Sequence, residues 1–389
     1  MLAIQPPFIF NYFSKNSSNY NFLSSSSVKQ KIISSTPKVH KSFYLSWEDA
    51  LWHLLTVYKI KQGSTILVPE FFCGNVIENM EKHGLKIEYY PVDRLLTTNI
   101  QKFKKFLEKT KPNILIVFHP VGIDNKLIES AKQWINLLPK KSLLIEDCVH
   151  KIIRKSEIRF LNDRHFLIDS LRKVVPIQGS QVFSSVKIPT ISAIQKLYSF
   201  PYSFIVLYYW IRMEFNLLLA HFSNNLGLAK YFNLKAEKLM LQGYSIIGIA
   251  KFPSSGNIFM NLLTDRINID EIEKTKQKQA EKYLNILNKL INSKYFWIPE
   301  IKKSNLKKLR GFPLIIDKKI ANKFLEFLRT NGLILRFELN DSKWSEDQKI
   351  IYLPMGLHIN DKDVEYVTKL IHKFEQNFLN FGKNVVNMR

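Results

Sequence analysis

The stretch FLIDSLRKVVPIQGS (residues 166–180) places a lysine just after the pattern of a buried strand. Apolar residues run into Asp169 and Ser170, and the adjacent cations Arg172 and Lys173 come before a proline and a glycine. An ammonium group in apolar surroundings is disfavoured by desolvation, and a neighbouring cation disfavours it further. The neutral amine of Lys173 is therefore predicted to be available as a nucleophile.

Strand patterns alternate with helix patterns upstream of this lysine. Helices are predicted at 48–60, 75–84, 99–110 and 127–138, and strands at 64–72, 86–93, 113–122, 142–147 and 165–169. This alternation predicts an α/β domain whose mostly parallel sheet is covered by helices on both faces. Ligands of such sheets bind at the carboxyl ends of the strands. His119, Asp147, Ser170 and Lys173 all lie at or just after a predicted strand end.

The rest of the chain divides into further segments. Residues 1–41 read as a low-complexity arm, rich in Ser and Asn and without an acidic residue. The large domain is predicted at 42–265, a connecting helix at 266–293, a small α/β domain at 294–379 and a tail at 380–389. The arm is expected to pack on a partner subunit or on the rim of the site. An organelle transit peptide is the alternative, although the arm has no arginine.

The composition favours a globular protein with a surplus of cations. Lys and Arg number 57 against 33 Asp and Glu, a formal net charge of +24. The surplus fits a solvated surface, and an affinity for anionic partners is the alternative. No nucleic-acid-binding module accompanies it, so no nucleic-acid partner is expected. The two cysteines, Cys73 and Cys148, have no metal-ligand spacing, which predicts no metal, no disulfide and a reducing, cytoplasmic compartment.

The most apolar window of the chain lies at 204–222. Arg212, Glu214 and Asn216 stand at its centre, where a charge inside a bilayer costs roughly 2.5–3.5 kcal/mol. We therefore predict a buried or subunit-interface helix and no integral membrane span. A helix lying on a membrane surface is the alternative, since Tyr208, Tyr209 and Trp210 suit an interface.

Several segments together resemble one enzyme family. They are QGSTILVPEFFCGNVIENMEKHGLKIEYYPVD (62–93), VFHPVG (117–122), LLIEDCVH (143–150) and SLRKVVPIQGS (170–180), with weaker likeness across 42–374. In order and spacing they resemble the DegT-like nucleotide-sugar aminotransferases, which are fold type I pyridoxal-phosphate enzymes. The resemblance implies a divergent member with a large and a small α/β domain, pyridoxal 5'-phosphate as cofactor and a homodimer.

The resemblance also implies roles for individual residues. Lys173 matches the lysine that forms the internal aldimine, and Asp147 matches the acid that pairs with the pyridine nitrogen and makes the ring an electron sink. His150 matches a position close to the phenolic oxygen, and Ser170 matches a phosphate contact. Spacing alone favours an ordinary salt bridge between Asp147 and Lys173 at the strand ends, and the resemblance favours the catalytic pair.

Other positions are assigned more loosely. Ser46 matches the first residue of the phosphate-binding turn, Phe71 or Phe72 would stack on the ring, and His119 would line the pocket. Arg336 would bind the carboxylate of the amino donor, or else form a surface ion pair. The family's small residues after Ser46 are replaced here by Trp47, Glu48 and Asp49, and the two carboxylates would repel a phosphate.

The resemblance predicts transamination of a nucleotide-linked keto sugar, or of a similar small carbonyl compound, by an amino donor. The alternative is a relative that keeps the fold, has reduced catalysis and binds a ligand or a partner without turnover. The segment 47–49 favours that alternative, whereas Lys173, Asp147 and His150 favour the enzyme.

Overall fold

The computed structural model of the chain describes residues 2–3, 6–13, 39–247, 252–288 and 294–386. Much of the predicted arm, 14–38, lies outside the described residues, and with it most of the segment that could be a transit peptide. Two pieces of the arm pack on the chain's own body. Strand β1 (Leu2–Ala3) pairs in parallel with Leu333–Ile334, and the buried Tyr12 places its hydroxyl 3.0 Å from His358 Nδ1.

A seven-stranded sheet forms the centre of the large domain. Its strands are β2 (His40–Tyr44), β3 (Thr65–Pro69), β4 (Lys86–Tyr90), β5 (Ile114–Phe118), β6 (Leu143–Asp147), β7 (His165–Ile168) and β8 (Ser180–Ser184), in the spatial order β2-β8-β7-β6-β5-β3-β4. Only β8 runs against the others. The predicted α/β fold with a mostly parallel mixed sheet is confirmed, whereas β2 and β8 are strands that the sequence patterns did not indicate.

Helices cover this sheet and produce two apolar layers. The helices are α1 (Trp47–Val57), α2 (Gly74–Lys82), α3 (Ile100–Thr110) and α4 (Lys126–Glu129). One layer contains Leu54, Ile116 and Phe166 and continues into the small domain, and the other contains Phe103, Leu107 and Trp134. Because both faces are covered, the central strands β3, β5, β6 and β7 are nearly continuous apolar runs, as is typical of parallel sheets.

The helix predicted at 127–138 is broken. After α4 the chain makes 3-10 turns at Ala131–Gln133 and Ile135–Leu137. Trp134 between them has a φ of −138°, outside the helical range. Its fully buried indole donates to the carbonyl oxygen of Leu127 at 2.8 Å. Burial of this large side chain therefore takes precedence over the helical pattern.

Two long helices follow the sheet. The predicted apolar helix is α5 (Ala193–Phe222), and it packs against α6 (Leu226–Tyr244). Among the helices that the structure describes, α5 alone is long and apolar enough to cross a membrane, and 39% of its most apolar window is buried. The expectation of a buried helix is therefore met on one side only, because many of its large apolar side chains are exposed.

The C-terminal part contains a small antiparallel sheet. Its strands are β9 (Phe296–Trp297), β10 (Phe312–Asp317) and β12 (Gln348–Leu353), in the order β12-β10-β9; β11 (Leu333–Ile334) pairs with β1 instead. The helices are α7 (Ile258–Thr264), α8 (Ile269–Leu287), α9 (Lys303–Leu306), α10 (Lys318–Thr330) and α11 (Asp361–Val386). Helix α8 occupies the predicted connecting segment, and α11 extends into the predicted tail.

Residues 333–339, LILRFEL, have the pattern of a strand, but the strand ends early. Strand β11 covers only its first two residues, after which Leu335 N donates to the carbonyl oxygen of Leu333 in a tight turn. This turn releases the following residues from the sheet ladder. Arg336 and Glu338 thereby reach a cavity between the two sheets.

Candidate active site

A cavity of about 290 Å³ lies at the carboxyl ends of β5, β6 and β7. Phe118 and Asp147, the last residues of β5 and β6, line it from the large domain. Arg310, Arg336 and Glu338 line it from the C-terminal part. Small-molecule sites usually measure about 300–1,000 Å³, so this cavity is at the lower end of that range.

Asp147 is buried at the wall of the cavity. Its Oδ1 accepts a hydrogen bond from Val149 N at 3.1 Å. Burial raises the pKa of the carboxyl to about 7, and the nearby Lys173 opposes the rise. A cation that enters the cavity would therefore stabilise the ionised form of this carboxyl group.

Lys173 lines the same cavity, at the end of the 3-10 turn Leu171–Lys173. Burial lowers the pKa of its amine to about 8, and the cations Arg310 and Arg172 contribute to the decrease. The direction and the causes agree with the sequence argument. The amine is thus far easier to deprotonate than that of an ordinary lysine, whose pKa is about 10.4.

The turn that holds Lys173 depends on a close backbone contact. Leu171 N donates to the carbonyl oxygen of Gly179 at 3.0 Å, which folds the segment back on itself. Gly179 has a φ of +146°, and a Cβ atom there would lie 2.2 Å from the Phe43 ring. Another residue here would be strained, both by this positive φ and by contact with the Phe43 ring, which would have to move.

Ser170, Phe72 and Trp47 line the cavity beside the pair. The Trp47 indole nitrogen Nε1 is buried and has no hydrogen-bond partner among the described residues. Leaving a buried donor unpaired costs about 1–3 kcal/mol. Trp47 lines the cavity with its ring, but its buried Nε1 is not exposed to that cavity.

Phe71 does not line the cavity. Its ring centroid lies 4.8 Å from that of Trp344 and 6.0 Å from that of Phe118, and the side chain is buried in the core. Of the two phenylalanines proposed to stack on a ring, only Phe72 is at the cavity wall.

His150 lies behind the wall, where its ring contacts Phe118 edge to face. Its Nδ1 accepts the Val121 N–H at 3.1 Å, so the proton of the neutral ring is on Nε2. Arg310 Nη1 lies 3.3 Å from Nε2 and is also a hydrogen-bond donor, so neither nitrogen can accept a hydrogen bond from the other. Burial, Lys173 and Arg310 hold the pKa of His150 well below its usual value. The ring is therefore neutral, with an N–H suited to an acceptor.

A strained turn positions His150. Val121, in the 3-10 turn Pro120–Gly122, has a φ of +63°, which is rare for a β-branched residue. Its N–H meets His150, and its carbonyl oxygen accepts from Arg310 N at 2.7 Å. Gly122 has a φ of +101°, and a Cβ there would lie 2.4 Å from the Lys308 carbonyl oxygen. This turn joins the large domain to the segment that carries Arg310.

His119 lies on the other face of the sheet. Phe118 faces the cavity, so the next residue along the strand points away from it. His119 Nε2 is 2.7 Å from Glu146 Oε1, and its Nδ1 accepts from Asn125 N at 3.0 Å. We therefore leave His119 out of the proposed site.

Ser46 is the N-cap of α1 and does not line the cavity. Its hydroxyl accepts from Asp49 N at 3.1 Å and donates to Asp49 Oδ2 at 2.6 Å. Asp49 Oδ1 accepts from Ser254 N at 2.8 Å. The Ser46 hydroxyl thus caps the helix, and the Asp49 carboxylate is held by Ser46 and Ser254. The next residues, Trp47 and Glu48, line the cavity, where the Glu48 carboxylate would repel a phosphate.

Arg336 lines the cavity, and its Nε is 3.6 Å from Glu338 Oε1. The side chain is 41% exposed, whereas Glu338 is 5% exposed. Arg336 therefore forms an ion pair with a buried carboxylate, and its side chain remains partly exposed.

Arg310 is the residue that the sequence analysis missed. It donates to Glu338 Oε2 at 2.8 Å, and its buried Nε has no hydrogen-bond partner among the described residues. In the sequence, the basic segment 302–310 looks like a solvated loop. Its position before the strand pattern GFPLIID gave no signal, because the rule for ligand sites concerns the carboxyl ends of strands.

The comparisons with known proteins concern the fold. No protein-family model and no curated protein sequence matches the chain. The Escherichia coli GDP-4-keto-6-deoxy-D-mannose-3-dehydratase, solved with bound hydrated PLP, is 12% identical with a TM-score of 0.53, over 85% of this chain and 87% of that chain.

Two further structures are similar. DesV of S. venezuelae is 13% identical with a TM-score of 0.56, over 86% of this chain and 84% of that one. PseC of Helicobacter pylori, an aminotransferase involved in the biosynthesis of pseudoaminic acid, is 11% identical with a TM-score of 0.54, over 86% of each chain. The resemblance inferred from the sequence is confirmed at the level of the fold: the chain shares the fold type I architecture of these three structures.

Proposed function

We propose that the protein is a pyridoxal-phosphate-dependent enzyme that modifies a sugar, with Lys173 as the residue that carries the cofactor. The observation that carries this proposal is the common cavity of Asp147 and Lys173. A salt bridge of purely structural use would close the space between the two groups. Here the space is open and also lined by aromatic, hydroxyl and cationic side chains.

The residues of the cavity fit the cofactor. Asp147 would face the pyridine nitrogen, whose proton is the cation that a buried carboxylate needs. His150, which packs behind Phe118, would support the wall of the cavity and would not contact the cofactor directly. Ser170 and Arg172, which line the cavity, would hold the phosphate, in place of the N-terminus of α1, which the Ser46 hydroxyl caps. Phe72 would lie against the ring.

The bound cofactor supplies an electron sink for a carbanion next to the amino group. Asp147 keeps the ring nitrogen protonated, which that role requires. Lys173 moves a proton at its Nζ as general base and general acid, and its lowered pKa suits this work near neutral pH. The buried Phe118 and Phe72 exclude water from the reacting side.

We propose transamination, with an amino acid as donor and a nucleotide-linked keto sugar or a similar small carbonyl compound as acceptor. The partly exposed Arg336 would bind the donor carboxylate. Sugar chemistry is suggested by the neighbours, which include a GDP-sugar dehydratase and an aminotransferase of pseudoaminic acid biosynthesis. A homodimer in the cytoplasm is part of the same proposal.

A second candidate, a relative that keeps the fold but does not turn over, is favoured by one observation. The Ser46–Asp49 pair occupies the helix N-terminus where the family's phosphate-binding turn is expected. In that case the cavity would bind a ligand or a partner without turnover, and Lys173 would carry no cofactor.

Borohydride reduction followed by peptide mass spectrometry distinguishes the two candidates. The protein is incubated with pyridoxal phosphate, reduced and digested. We expect a stable adduct on the peptide that contains Lys173, and no adduct after Lys173→Ala. Lys276 is an internal control, because it is also buried, which lowers its pKa to about 7, yet it does not line the cavity. Equal labelling of both lysines, or none on Lys173, would reject the enzyme.

A further inference from the structure

Helices α5 and α6 form a hairpin whose outer surface is apolar. On α5 the side chains of Leu197, Phe204, Phe215 and Phe222 are 60–75% exposed. On α6, Leu228, Tyr231 and Leu241 are 52–56% exposed. Scattered apolar residues are normal on protein surfaces, but contiguous apolar patches mark interaction sites.

The exposed residues of α5 form one continuous stripe. Leu197, Phe204, Tyr208, Ile211, Phe215 and Phe222 follow one another at steps of three, four or seven residues. These steps keep side chains on the same face of an α-helix. The helix has 30 residues, so at about 1.5 Å per residue the stripe runs along a rod of roughly 45 Å.

The opposite face of α5 is already used. Trp210, Met213 and Leu217 pack with Ala236 and Leu239 of α6 in a separate apolar cluster. Phe8 and Met260 pack against the same cluster and join the hairpin to the body of the protein. The exposed stripe is therefore left over after the hairpin has buried its own core.

The exposed charges of the hairpin all have the same sign. They are the cations Lys196, Arg212, Lys230, Lys235 and Lys238. In the part of the hairpin that the structure describes, neither acidic residue is exposed: Glu214 is buried and Glu237 is half-buried. Burial also raises the pKa of Glu214 to about 8, so it is mostly neutral at pH 7. Basic residues around an apolar, aromatic-rich face are typical of helices that lie on anionic membranes.

We propose that the α5–α6 hairpin docks on the surface of an anionic lipid bilayer. The apolar stripe enters the boundary between head groups and acyl chains, and the cations contact anionic head groups. Helix α5 lies on the membrane and does not cross it, because α6 covers one of its faces and Arg212 stands in its middle. A second copy of the chain fits less well, since pairing this face with itself would bring cations of equal sign together.

The hairpin also borders the candidate active site. Leu241 and Tyr244 of α6 line the cavity, and the Arg172 guanidinium lies 4.2 Å from the centre of the Tyr244 ring. Docking would therefore hold the cavity next to the membrane surface. The docking itself does not depend on the proposed function, because it rests on residues outside the catalytic set.

Vesicle flotation of the full chain tests the proposal. We expect binding to phosphatidylcholine vesicles that contain phosphatidylglycerol, little binding to pure phosphatidylcholine vesicles, and a loss of binding at high salt. Replacing Lys230, Lys235 and Lys238 with Gln is expected to weaken binding about 100-fold, from the usual contribution of each surface cation. The control carries the same charge change on α3, at the exposed Lys102, Lys105 and Lys109, and is expected to bind like the parent.

A second set of variants probes the stripe. Leu197→Ser, Phe204→Ser and Phe215→Ser together should abolish flotation, whereas Leu95→Ser, Phe106→Ser and Leu161→Ser, at exposed apolar positions elsewhere, should not. Thermal unfolding shows whether each variant is folded. If the variant with the three serines does not fold, the variant with the three replaced lysines still tests the proposal. Equal binding to vesicles with and without phosphatidylglycerol would overturn the proposal. So would absence of vesicle binding together with a decrease in sedimenting mass for the stripe variant, which would assign the face to a second copy.

Discussion

Asp147 and Lys173 line one cavity from the ends of neighbouring parallel strands. Asp147 is the last residue of β6, and Lys173 lies in the turn that follows β7. Burial moves the two pKa values toward each other, to about 7 for the acid and about 8 for the amine. Near neutral pH each group can exchange a proton, which is the condition for acid–base work in a closed site.

Asp147→Asn should weaken cofactor binding and lower activity at least about 100-fold, because an amide cannot keep the ring nitrogen protonated. Equilibrium dialysis with pyridoxal phosphate and a transamination assay measure the two effects. Asp169→Asn is the matched control. Asp169 is also buried, which raises its pKa to about 8, but it accepts from Gln181 N and does not line the cavity. Equal losses in both variants would contradict the role of Asp147.

The rate at which Lys173 attaches the cofactor should depend on pH. Only the neutral amine reacts, so below the pKa of about 8 the rate rises roughly tenfold per pH unit, and above it the rate levels off. Stopped-flow absorbance of the protein mixed with pyridoxal phosphate records the profile. A midpoint near 10, the value of an exposed lysine, would show that the amine is not desolvated.

Ser46 and Ser170 should respond in opposite ways to replacement by alanine. Ser46→Ala removes the N-cap of α1 and should cost about 1 kcal/mol of unfolding free energy, with cofactor affinity unchanged. Ser170→Ala should leave stability nearly unchanged and weaken pyridoxal phosphate binding about tenfold. Chemical denaturation and binding titrations of both variants measure this contrast. A loss of affinity in Ser46→Ala would instead indicate that the phosphate binds at the N-terminus of α1.

Gly122→Ala should destabilise the protein by about 3 kcal/mol or more. The new Cβ would meet the Lys308 and His150 carbonyl oxygens at 2.4 and 2.8 Å, in a backbone conformation that favours glycine. Gly63→Ala is the control, since Gly63 also has a positive φ but has nothing within 4 Å of the added atom. It should cost only about 1–2 kcal/mol. Similar values in denaturation experiments would exclude a tight junction at Gly122.

Local patterns predicted most of the regular elements but not the edges of the sheet. Strands β3 to β7 are short apolar runs next to clear helix patterns, and they appear where expected. Strand β8 reads SQVFS, with three polar residues, and its pairing with β2 and β7 depends on residues far away in the chain. The break at Trp134 was missed for the same reason, because the burial of one indole is a tertiary effect.

The sequence by itself determined the alternating strands and helices, and with them the sheet whose carboxyl ends carry Asp147, Ser170 and Lys173. That much follows from side-chain periodicity and from the rule that parallel strands end at one edge. Only the tertiary structure decided which face each strand-end residue takes: Phe118 toward the cavity, His119 away from it. It alone brought Arg310 and Arg336 to the site and left a bare apolar stripe on α5, because contacts between distant segments are set by packing, which periodicity along the chain does not encode.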